Sequence, residues 1–231
     1  MGLNLIVGVL EAVEAEDREA MRDEIARLNR FLAAAQLDTH VEPETHPDGV
    51  WDAQMWGYTG LHYLRRLAAH LRDGRDPKPF RPDADPTKDR LVKAYYRHAD
   101  WYVDENDVSF HESPPHPGRP FDHLVLHMDD EGFYVPQRFS GVLMTYTEGD
   151  DGSKPVGSSQ MLKEECEYLA DWLELSLAID PEGDEVWDAA DNGARPGDPN
   201  WKRFGIESFT CLRVHRGASE SVRSGRLLVF A

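Results

Sequence analysis

The sequence is short of cysteine, of lysine and of long apolar runs, and each shortage excludes a class of protein. Only Cys166 and Cys211 are present, in no CxxC pair. That excludes a zinc ribbon and a disulfide-stapled scaffold. Cys166 falls on the apolar stripe of an expected helix, where a free thiol behaves as a small core hydrophobe. No apolar stretch approaches the roughly 20 residues of a membrane span. The first residues, MGLNLIVGVLEAVEAEDREA, turn acidic at once and carry no basic region, so no secretory leader is expected. The expectation is a cytoplasmic protein.

Motifs are also missing. There is no Walker pattern, no GxSxG, no HExxH and no GxGxxG. Lysine is scarce, at six against nineteen arginines. Forty-three acids face 25 bases, for a formal charge of −18. Such a surface repels nucleic acid and anionic membrane, whose ligands are basic. A basic protein is the partner that this charge would attract.

What is present is a globular composition. The 231 residues are 40% hydrophobic, with six Trp, eight Tyr and nine Phe. A single domain of this length buries about 70–75% of its unfolded surface, so it needs no metal or disulfide to fold, and no cofactor is expected. LNLIVGVL (3–10) reads as a strand and LDTHVEP (37–43) as a weak second one. Helical spacing runs through Met21, Ile25, Leu28, Leu32 and Ala35. It recurs in 58–74 through Leu61, Leu64, Leu67 and Leu71, with Gly74 as the stop. A proline-rich surface connection spans 74–86, after which Asp85-Pro86 opens a further helix. Short strands are expected in 101–110 and 138–149. Leu162, Cys166, Leu169, Leu173 and Leu177 mark the clearest helix, capped by Ser158 or Ser159. Residues 180–201 read as an acidic loop. Cys211, His215, Ala218 and Val222 favour a helix over 206–223 followed by a final strand, LLVF, with a long strand through FTCLRVH as the alternative. The fold class is mixed α/β (α+β): one domain over 1–231, with a mixed or partly antiparallel sheet and about four to five helices.

The stretch FDHLVLHMDDEGFYVP (121–136) is the sharpest puzzle. On a helix, His123 and His127 would share a face. The flanking apolar runs and Gly132 instead predict a β-hairpin with a solvated tip at Asp129, Asp130 and Glu131. On a strand the two histidines lie roughly 13 Å apart, too far to hold one ion. No metal site is expected from that pair. Further candidate binding residues are Trp51, Trp56, Tyr58 and His62, an aromatic cluster where a helix begins, and Trp187 and Trp201 in the acidic loop.

Two functions follow from these residues. The first is a non-catalytic, acidic, protein-binding module of the kind used by bacterial inhibitor or immunity proteins. The second is a metal-dependent hydrolase drawing ligands from His111, His116, His123 and His127.

Overall fold

The computed structural model describes residues 2–55, 57–79, 85–96, 102–104, 120–146, 154–192 and 195–231. Seven short strands form one sheet: β1 (Asn4–Val7), β2 (Trp51–Gln54), β3 (Tyr102–Asp104), β4 (Phe133–Val135), β5 (Leu143–Tyr146), β6 (Pro155–Ser158) and β7 (Leu228–Phe230). Their spatial order is β2-β1-β7-β4-β6-β5-β3. Four pairings are antiparallel, while β3–β5 and β4–β6 are parallel. The last strand therefore sits inside the sheet, between β1 and β4.

Strand alternation sends side chains to two faces, and each face has its own core. Leu5, Val7, Tyr134, Leu228 and Phe230 face one side, with α3 (Thr59–Arg72), α6 (Ser159–Leu173) and α9 (Gly205–Ser224). Val135, Leu143, Val156 and Leu227 face the other, where Ile25, Leu28, Phe31 and Leu32 of α2 (Arg18–Ala34) cover them. The expected class and the helical stripes hold. Leu162, Cys166, Leu169 and Leu173 are all fully buried on α6. Ser158 caps that helix, its hydroxyl accepting from the Met161 N–H at 3.1 Å. Asp85 caps the 3-10 turn Pro86–Lys88, ahead of α4 (Arg90–Tyr96).

The C-terminal segment is helix α9 followed by β7, as its spacing predicts. α9 is enclosed by α3, α6 and α7 (Asp184–Asn192). Small residues permit this: a Cβ at Gly205 would stand 2.0 Å from the Ala189 carbonyl oxygen, and one at Gly60 would stand 2.6 Å from Thr210 Oγ1. No helix among the described residues is long and apolar enough to cross a membrane.

Four expectations are corrected. Residues 37–43 form no strand. The acidic segment 180–201 is not one loop, since it contains α7 and the start of α8 (Asn200–Arg203). Helices outnumber the expected four to five: α1 (Val9–Ala12), α5 (Asp122–Val125) and α8 add single turns to six longer ones.

The fourth correction is the hairpin at 121–136. Its first arm is α5, and β4 pairs with β6 and β7 instead. The cause lies far away in sequence. The buried Glu165 carboxylate accepts from the His123 and Leu124 N–H groups at 3.2 and 2.8 Å. The buried Arg65 guanidinium donates to the Leu124 carbonyl at 2.8 Å, to the His127 carbonyl, and to Asp129. Both ends of the turn are thus satisfied by side chains, which a strand ladder would otherwise have to do.

Candidate functional site

The histidine pair is structural. His123 and His127 are both buried. His123 Nδ1 accepts from the Ser158 N–H at 2.9 Å, which puts its proton on Nε2. Burial pushes this ring down to about 3. His127 stacks on Tyr134 at 3.9 Å between centroids, with the Met128 and Phe133 carbonyls at its two nitrogens. Burial outweighs those carbonyls and brings it to about 4. Asp129 is not part of a solvated turn. It pairs with Arg65 and with His62 Nε2, the latter at 3.0 Å. Burial works to raise its carboxyl, but those two partners hold it down at about 2. Asp130 and Glu131 are exposed as expected. Among the described residues, no group of three or more His, Cys, Asp or Glu could hold a metal ion. His111 and His116 lie outside the described residues.

The aromatic candidates divide. Trp56 lies outside the described residues. Trp51 and Tyr58 are half-buried and pack against the core. His62 follows Tyr58 by one turn, as its spacing predicts, and is spent on Asp129. Trp201 is buried, with the Lys202 ammonium 5.0 Å above its ring. Trp187 stays half-buried on α7, its ring 4.9 Å from that of Phe209. It lines an open cavity of about 210 Å³ together with Met55, Thr59 and Gly60 from the start of α3. The fold therefore brings Met55, Thr59 and Gly60 beside Trp187, which the sequence did not suggest, while Trp51, Tyr58 and His62 stay outside the cavity.

The broad feature of the surface is its charge. From Glu164 to Asp191 the chain holds eleven acids and no lysine or arginine. This run accounts for eleven of the eighteen net negative charges. Reading 180–201 as a loop separate from the helix before it concealed the run, although a plain search for base-free stretches would have found it.

Glu165 alone of the eleven is buried. The others line the outer sides of α6, α7 and the connection between them. On α6, Glu164, Glu167 and Asp171 follow one stripe opposite the core residues, and Glu174 caps the helix just beyond it. Along the axis these three span about 10 Å, or about 5 Å per carboxylate. One strand of B-DNA carries a phosphate every 3.4 Å or so. Tyr168, 61% exposed, stands within that stripe with its ring edge against Phe121. On α7, Asp184, Glu185, Asp188 and Asp191 face outward while Val186 and Ala189 face the core.

Local cations neutralise only part of this surface. Arg138 pairs with Glu164, Lys163 with Glu167, Arg213 with Glu182 and Arg216 with Asp180. Asp171, Asp184, Glu185 and Asp191 have no cationic partner among the described residues. Chemically the surface offers carboxylates, an exposed tyrosine and a half-buried tryptophan, which suits binding to a cationic surface. No curated protein and no solved structure matches the chain. A family match runs through residues 1–230, nearly the whole chain, and by it the protein belongs to the family described as "Putative DNA-mimic protein".

Proposed function

We propose that this protein is a non-catalytic binding protein that occupies the DNA-binding surface of a basic protein partner. The observation that carries this reading is the base-free acidic run of α6 and α7, with its unpaired carboxylates. The family's description supports it. DNA-binding proteins gain most of their affinity from cations that meet phosphates. A surface with carboxylates about 5 Å apart along a helix offers those cations an alternative at lower charge density. Tyr168 supplies the large apolar contact that a charged interface needs for affinity. Inhibition by exclusion of DNA follows, of the inhibitor- or immunity-like kind, in the cytoplasm where such a partner works.

The test uses proteins already selected for binding duplex DNA. They are passed over immobilised protein, then washed with excess duplex oligonucleotide. Retention that duplex releases is expected. The triple variant Asp171→Asn, Asp184→Asn, Glu185→Gln should lose most of it. Retention that survives excess duplex, or that the triple variant matches, would reject the reading.

A further inference from the structure

The cavity between the start of α3, α7 and α9 has a shape and chemistry that the acidic stripe does not explain. Its walls include Met55, Trp187, Ile206 and Phe209, and Asp191 stands at its rim. At about 210 Å³ it is smaller than the roughly 300–1,000 Å³ of small-molecule pockets, a size that suits one long side chain.

We infer that this cavity receives an arginine side chain of the protein partner, its methylene stem on the apolar walls and its guanidinium at Asp191. The inference rests on the binding reading above and names the contact that gives it specificity. Charge complementarity selects the occupant. Asp191 has no cationic partner among the described residues, and Asp188, one turn back, is held only by the Asn192 amide at 2.7 Å. Glu182 pairs with Arg213, whose guanidinium lies over the inner side of the aromatic wall, 4.3 Å from the Phe209 centroid and 5.9 Å from that of Trp187. That internal cation is therefore already compensated. A neutral apolar side chain would leave Asp191 without a counter-charge. Lysine brings a strongly hydrated ammonium that cannot stack, whereas a guanidinium is planar, weakly hydrated and suited to an indole face.

Two synthetic peptides of equal charge test this, one alternating arginine with serine and one alternating lysine with serine. Equal charge cancels the general attraction of the acidic surface, so the difference between them reports the cavity. The arginine peptide should bind about tenfold more tightly and shift the Trp187 indole N–H resonance. Ala190→Leu fills the cavity from α7 without changing any charge. It should abolish the preference while leaving the lysine peptide's affinity unchanged. Asp191→Asn, on an exposed position, should reduce the preference without disturbing the fold. Equal affinity for the two peptides in the unaltered protein would overturn the inference, as would a preference that survives both substitutions. The two readings fail separately. Capture released by duplex DNA but with no arginine preference rejects only the cavity. Arginine preference without capture of DNA-binding proteins rejects only the partner class.

Discussion

Arg65 shows how much of this structure depends on single buried charges. Its side chain is 1% exposed and serves three backbone carbonyls and Asp129. Arg65→Met would leave those acceptors without a donor, so a loss of about 3–5 kcal/mol is expected in chemical denaturation. A loss under 1 kcal/mol would mean that α5 holds itself. His123 and His127 make a second prediction. Their folded values of about 3 and about 4 lie below the ordinary 6.5 or so of an unfolded chain. The unfolded chain therefore takes up protons first. The stability these rings contribute is complete above about pH 6.5 and is lost as pH falls toward 4 and then 3. At pH 5 the loss is about 2 kcal/mol for each ring. Glu207 works the other way. Burial raises it to about 7, so its stabilisation is complete below about 4.5 and is lost as pH rises through 7. Whole-protein stability mixes these opposing trends, so the ring signals are the direct readout. Both imidazoles should remain neutral by NMR at pH 5. Protonation near 6.5 would contradict their burial.

At the scale of elements, what was legible follows from where the decisive contacts lie. Helices α2, α3, α6 and α9 were legible because apolar residues three and four apart face a core whatever else happens. β1 and β7 were legible as short apolar runs beside turn residues. HLVLH misled because it alternates histidine with apolar residues as a strand would. Glu165 and Arg65, 41 and 59 residues from Leu124, determine that it is a helical turn. No local pattern encodes that. DEVWDAAD reads as loop through its acids, yet acids in a first turn favour helix and Val186 and Ala189 bury its inner side. α7 can lie close on α9 only because residue 205 is glycine. Gly205→Ala would press a methyl group into the Ala189 carbonyl, and a loss of about 1–3 kcal/mol is expected in thermal or chemical unfolding. Unchanged stability would show that α7 shifts freely.

Over the whole molecule, the sign of the charge was legible and its location was not. A net −18 already argued against nucleic acid as ligand and for a basic partner. Its concentration on α6 and α7 emerged only once 184–192 proved to be a helix with its acids facing outward, as those of α6 do. A partner held by this face should bind less tightly as salt rises, and the triple variant should show a shallower dependence. Charge spread evenly over the molecule would give the same slope for both proteins. The most direct test of the account is competition at one site. A captured DNA-binding partner is titrated with labelled duplex at several fixed concentrations of this protein. The account predicts that the apparent Kd for duplex rises in proportion to the added protein, with no plateau. A plateau, or a complex containing partner, duplex and this protein together, would contradict it.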